Sequence, residues 1–492
     1  MKNLFLLCSA LQLSRLAWAQ TTPLPIVPLL PEVVPASAPI PDNEPPTDYL
    51  GAIWVPAATG NFDPQNRPLS EPIDMVIVHD IEGPVSSAIR IFQDPKREVS
   101  AHYIVGGDGR VWQMLREHNV GWHAGNRNIN HRSIGIETEG YAYQPGWYNS
   151  QTYEAEAKLV RDITRRYGIP RDRTHIIGHS EVPNPKDPTK FGGVSGHTDP
   201  GPYWNWAAFM ILVRNDARLA KAQIPATIRP GETLGASLTF QNSGDDKWPA
   251  NTASDTKEAL QASGPLVVLG TEAGRISPLF NLQGWLSPTL AAGASSDTLP
   301  GESARFEFTL RGPRELGVWS DQLRLTTMPT AAQGALPISF GEKVTVAMRV
   351  VPWVLDVSST ASEKSSSAKP ILAQWKVALS IGGIYAVYAA PPKPAKTRRQ
   401  KRFSYRIGTL TGDKIVEAKP EDGGKGWLFA GYFRFPEPSK EAPTVSAQLI
   451  SAPRGVNESN AGALRFIGPF PAASNRAPDP SQIPGAPGDS NR

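Results

Sequence analysis

All eight histidines of the chain, His79, His102, His118, His123, His131, His175, His179 and His197, fall within about a quarter of its 492 residues. Neutral imidazole is the commonest protein metal ligand and the usual acid or base near neutral pH, so the clustering points to a metal or proton-transfer centre confined to one domain. Four pieces of that window carry the chemistry: His79 ending IDMVIVH, Glu137 in RSIGIETEG, His179 in HIIGHSEV, and His197-Thr198-Asp199 in GHTDPGPYW. Each falls at the end of a predicted strand or in the loop after it, where an open sheet presents side chains to a shared cleft. Two imidazoles and one carboxylate would leave the fourth tetrahedral position of Zn2+ for water, the catalytic rather than the structural arrangement. A second carboxylate would take that water's proton as it attacks a carbonyl. The residues alone therefore predict a zinc amide hydrolase.

The elements that must position these residues are legible in outline. IDMVIVH reads as a buried strand, HYIVGGDGRVWQML as strand, Gly-Asp-Gly turn and strand, and SIGIETEG and THIIGHSE as further strands. Thr152 to Tyr167 has apolar residues at helical spacing and is stopped by Gly168 and Pro170. Strands interleaved with helices predict an α/β domain over residues 49–218, a mixed central sheet flanked by helices. Beyond residue 220 short alternating strands take over: ETLGASLTFQN, SARFEFTLRG, GVWSDQLRLTT and EKVTVAMRVV predict one β-sandwich over 222–352. IGGIYAVYAA, RFSYRIG, WLFAGYFRF and TVSAQLIS predict a second over 370–468. The fold class is multidomain, one α/β domain followed by two β-sandwiches, with a Pro-rich linker at 20–48, a Ser/Lys-rich linker at 353–369 and a disordered tail at 469–492. Trp248, Trp285 and Trp319 are expected to be sandwich core.

The first 19 residues, with Lys2, an apolar run from Leu4 to Leu11 and Ala17-Trp18-Ala19, read as a signal peptide, so the protein is expected to be exported: secreted, periplasmic or wall-associated. The apolar run is too short to span a bilayer, and no transmembrane segment is expected in the mature chain. Cleavage after Ala19 would remove Cys8, the only cysteine, leaving His, Asp and Glu as the available metal ligands. A net charge of +4 over 492 residues is too weak for a nucleic-acid protein. The basic run from Lys396 to Arg406 reads as a solvated loop, with binding of anionic wall polymers as the alternative.

Taken together, VIVHD, SAHYIVGGDGRVWQ, GWHAGN, SIGIETEG, GHSEV and TDPGPYW over about residues 70–207 resemble the zinc-dependent N-acetylmuramoyl-L-alanine amidase type 2 family, which shares its fold with peptidoglycan recognition proteins. The resemblance implies that His79, His179 and Asp199 hold Zn2+ and that Glu137 is the catalytic base. It implies cleavage of the amide between N-acetylmuramic acid and L-alanine, with peptidoglycan or muropeptides as partner. Many members place a lysine two residues before the metal-binding Asp, where it stabilises the oxyanion. This chain has His197 there, which can donate the same hydrogen bond. Some ten residues are inserted between His179 and Asp199 relative to compact members, so Lys186 or Lys190 could reach back into the site. A three-histidine site using His197, and Glu139 as base, are the rival assignments. His102 and His123 are expected to line the substrate groove with Trp122 as an apolar wall, while His118, His131 and His175 are read as surface or structural. The later regions resemble immunoglobulin-like and golvesin-type modules. A non-catalytic peptidoglycan-recognition protein and a zinc peptidase acting on another stem-peptide amide are the alternative functions.

Overall fold

The computed structural model describes residues 47–250, 266–328, 337–359, 371–390, 403–418, 427–439, 444–452 and 461–470. The expected signal peptide, nearly all of the Pro-rich linker, residues 360–369 of the Ser/Lys-rich linker, most of the basic run and all but the first two residues of the tail lie outside the described residues.

A six-stranded mixed sheet organises the first unit. Its strands are β1 (Ala52–Trp54), β2 (Met75–Asp80), β3 (Tyr103–Val105), β4 (Val111–Gln113), β5 (Ser133–Thr138) and β6 (Ile176–Gly178), in spatial order β1-β4-β3-β5-β2-β6. Only the β3–β4 pair is antiparallel. β2 lies between two parallel neighbours and all six of its residues are buried, which explains its nearly unbroken apolar sequence. Period-two alternation sorts its side chains. Val76 and Val78, with Ile134 and Ile136 of β5, face one core, while Met75 and Ile77 pack with Ala124 and Ile177 on the other side. His79 continues the Met75/Ile77 face, and its register partner is Glu137. Both therefore emerge on one face, at the carboxyl edge.

Four helices flank the sheet: α1 (Val85–Gln93), α2 (Arg127–Arg132), α3 (Ser150–Tyr167) and α4 (Trp206–Arg214). The predicted helix is α3. Its Asn149 cap accepts from the Gln151 and Thr152 amides, and Gly168, at φ +69°, ends it in the left-handed conformation. Helices α1, α2 and α4 were not predicted. WAAFMILVR in α4 is apolar almost all round, so it shows no amphipathic period; it buries Phe209, Leu212 and Val213 against the core.

The remainder is strand-rich, as expected. One group pairs Ala217–Gln223 with Thr233–Asn242 and Ser303–Arg311; a five-stranded sheet contains Leu266–Thr271, Leu290–Gly293, Gly317–Met328 and Ile338–Val350. Trp248 and Trp285 are buried in this unit, and Trp319 packs partly buried against it. Ala217–Gln223 crosses the expected boundary at 218–222, because its partner strand belongs to the second unit. The expected linker at 353–369 is also corrected: Trp353–Ser358 is a strand antiparallel to Ala463–Phe470, its half-buried Trp353, Leu355 and Val357 sharing one face. That pairing carries the last unit to Phe470 rather than 468. The first two units share a continuous core, and across it Arg324, 3 % exposed, donates to Glu154 at 2.7 Å.

Candidate metal centre

The loop ends after β2, β5 and β6 converge at one edge of the sheet. His79 is the penultimate residue of β2, and His179 is the first residue after β6. Asp199 is brought alongside by the return of the chain, its carbonyl accepting from the Ser180 amide at 2.9 Å and its Oδ2 lying 3.4 Å from the Asp80 amide. His79 Nδ1 is 3.0 Å from His179 Nδ1 and 3.3 Å from Asp199 Oδ2, and His179 Nδ1 is 3.3 Å from Asp199 Oδ1. These three buried groups could hold a metal ion. With metal bonds of about 2.0–2.2 Å, the ligand atoms of a tetrahedral zinc site stand about 3.3 Å apart, close to the separations found here.

Charge and burial prepare the same atoms. Burial and the neighbouring His179 push His79 down to about 4, so it offers a neutral imidazole at pH 7. Burial alone would raise Asp199, but the close imidazoles of His179, His197 and His79 outweigh it and hold the carboxyl below the usual range. The Glu137 carboxyl makes no hydrogen bond or ion pair among the described residues; burial, then the charges of Asp199, Asp80 and Glu156, push its pKa well up. A carboxyl so placed is strongly basic once ionised, and a bound dication would favour that form.

His197 stacks on His179, ring centroids 4.4 Å apart and planes 15° apart, with Nδ1 3.5 Å from Asp199 Oδ1. Its hydrogen bond to Asp199 raises its pKa against the opposing effect of burial. The segment between His179 and Asp199 fixes this position. Gly192 and Gly193 amides donate to the Val182 carbonyl, and the His197 amide donates to Gly192. Gly192 is at φ +83° and a Cβ there would collide with the His197 backbone. Within that segment Lys190 pairs with Asp187 at 3.1 Å.

Other expected residues are placed differently. His102 is fully buried, its Nδ1 accepting from the Gly135 amide and its Nε2 beside Arg67 and the Asn119 carbonyl, so it braces loops beneath the site instead of lining a groove. His123, 6 % exposed, is also not a groove residue; it packs edge-on to His79. Trp122 remains partly exposed beside it. Glu139, the rival base, is occupied elsewhere, accepting from the Val85 amide at 3.2 Å and the Gly107 amide at 2.7 Å. His131 pairs with Glu71 and His175 with Asp172, both structural contacts.

Three groups escaped the sequence reading. Asp80 follows His79 and is raised to about 6 by burial, against the hydrogen bond from Tyr148 at 2.6 Å. Tyr148 Oη also lies 2.9 Å from the Pro200 carbonyl, tying the β2 edge to the Asp199 loop. Glu156 of α3, fully buried, accepts from Thr138 Oγ1 at 2.7 Å and is raised by burial to about 8. Asp80 adjoins a metal-ligand candidate, a usable signal; Glu156 sits on the apolar face of α3, where sequence offers no reason to single it out.

Residues 69–202 match the family model described as N-acetylmuramoyl-L-alanine amidase. The chain is 32% identical over 176 residues to N-acetylmuramoyl-L-alanine amidase A of Achromobacter lyticus, covering 34% of this chain and 95% of that protein. It is 27% identical over 155 residues to N-acetylmuramoyl-L-alanine amidase AmiD of Escherichia coli, covering 27% of this chain and 51% of that one. A crystal structure of an AmpD derivative aligns over 34% of this chain and 96% of that chain, with 26% identity and a TM-score of 0.27.

Proposed function

The chain belongs to the N-acetylmuramoyl-L-alanine amidase family, and from that premise we propose that residues 49–218 hydrolyse the amide between the lactyl group of N-acetylmuramic acid and the L-alanine of the peptidoglycan stem peptide. The observation that carries this reading is the convergence of His79, His179 and Asp199, with Glu137 in register beside His79. In it His79 Nδ1, His179 Nδ1 and an Asp199 oxygen would hold Zn2+. Zinc bound there would supply a Lewis acid that polarises the scissile carbonyl and acidifies the attacking water, and its charge would oppose the burial and negative neighbours that raise Glu137. Glu137 takes the water's proton and passes it to the leaving amine. His197, held over His179 by the insert, donates to the developing oxyanion in the place where many relatives use lysine. Trp122 is assigned as an apolar wall for the substrate.

Export rests on the leader-like first 19 residues. Among the described residues no helix is long and apolar enough to cross a membrane. The strand-rich units are assigned as immunoglobulin-like and golvesin-like modules that position the enzyme on the wall or a partner.

The test is incubation of the purified protein with peptidoglycan, with and without a chelator, and mass spectrometry of the products beside Glu137→Ala. Stem peptides with free L-alanine amino termini, lost with chelator, restored by zinc and absent in the variant, are expected. Cleavage at another amide would change the substrate bond, and binding without cleavage would overturn the catalytic assignment.

A further inference from the structure

Behind His79 lies a line of side chains that the reaction does not use. His79 Nε2, the nitrogen turned away from the metal position, is 3.0 Å from His123 Nδ1. His123 Nε2 is in turn 3.4 Å from Ser133 Oγ, and Ser133 Oγ lies 2.7 Å from the Ile129 carbonyl. A carbonyl only accepts, so the single hydroxyl proton of Ser133 is committed to Ile129, and its oxygen is left to accept from His123. His123 then carries its proton on Nε2 and presents a lone pair on Nδ1. That lone pair accepts from His79 Nε2–H, which leaves the lone pair of His79 on Nδ1, the nitrogen facing His179 and Asp199. One backbone carbonyl thus sets the tautomer of a ligand three groups away.

The strand is built to admit this arrangement. A Cβ on Gly135 would lie 2.6–2.7 Å from three atoms of the His123 ring, so the imidazole lies directly against the backbone of β5. Gly135 is required there for space. The other imidazole has no such support: His179 Nε2 is buried and without a hydrogen-bond partner among the described residues.

We propose that His123 is a positioning residue for the metal, fixing the tautomer and ring orientation of His79 through the Ile129–Ser133–His123 line. The inference rests on the metal site proposed above. Metal-ligating histidines ordinarily have the second nitrogen held by a carboxylate, carbonyl or water, and losing that partner weakens metal binding about 10- to 100-fold. An imidazole does that work here.

The experiment is zinc affinity of the full chain, by competition with a chromophoric chelator at fixed pH, for wild type, His123→Ala and His123→Asn. Asparagine places an acceptor oxygen on Cγ where Nδ1 stands, so it keeps the hydrogen bond that alanine removes. His123→Ala is expected to bind zinc about 10- to 100-fold more weakly, with His123→Asn recovering most of the loss. In parallel, nitrogen NMR of the histidine-labelled wild type is expected to show His123 as the Nε2–H tautomer, a reading that needs no variant to fold. A folded His123→Ala binding zinc as tightly as wild type, an asparagine variant as weak as the alanine one, or a His123 protonated on Nδ1 would each overturn the proposal while leaving the metal site standing. A wild type that binds no zinc would overturn the metal site and the proposal together.

Discussion

Glu156→Gln should make the first unit more stable, and increasingly so as pH rises. The carboxyl is fully buried, keeps one hydrogen bond from Thr138 and has no partner on its Oε1. Burial raises it from an ordinary 4.5 to about 8. Because the folded-state value is the higher one, the native state holds the proton more tightly. The group therefore costs nothing below the unfolded value, and stability is lost as pH climbs from 4.5 through 8. At 1.36 kcal/mol per unit, the loss is about 2 kcal/mol at pH 6, about 4 kcal/mol at pH 8 and levels off near 5 kcal/mol above that. Glutamine keeps an oxygen for the Thr138 hydroxyl and cannot ionise, so its advantage should follow that curve and vanish near pH 4. The assay is hydrogen exchange of the α3 amides in wild type and variant at matched pH, which reports opening of the unit that buries Glu156 without requiring the other units to unfold with it. A stability difference that stays flat between pH 4.5 and 8 would refute the assignment of a raised, proton-holding carboxyl.

Three further outcomes are expected. Glu137→Gln should lower kcat by about 10²–10⁴ while zinc content, measured by elemental analysis, stays near wild type, because the side chain is proposed as the proton acceptor and not as a ligand. His197→Ala should lower kcat by roughly 10²-fold with the zinc content retained, and His197→Lys should recover activity, since either side chain can donate to the oxyanion. Gly192→Ala, whose methyl group meets the His197 backbone at a left-handed residue, should lower kcat in the same direction as His197→Ala, read in the same assay with circular dichroism as the control for folding.

The chain's own pattern determined a good deal. The apolar run of β2 ending in His79, the Gly168 stop of α3 and the alternating strands beyond residue 220 all reflect local rules: burial on two faces, a left-handed cap, period-two alternation. The pieces around His79, Glu137 and His179 stand at strand ends with their motifs around them, whereas His197 and Asp199 lie in a loop beyond the Gly193–Ser195 turn. What lay beyond reach depended on long-range register and on who packs behind whom. The His79–Glu137 pairing requires β5 to lie beside β2, and no residue in either strand announces that neighbour. His123 read as a groove residue because WHAG motifs show chemistry but not depth; only the packing of β5 through Gly135 places it beneath His79. Trp353–Ser358 read as linker because its partner strand, Ala463–Phe470, is over a hundred residues away. Sequence therefore set the local conformations and the inventory of reactive groups, which are properties of neighbouring residues. The tertiary structure decided tautomer, burial and proton affinity, because these are set by atoms that meet only when distant segments close around the same few ångströms.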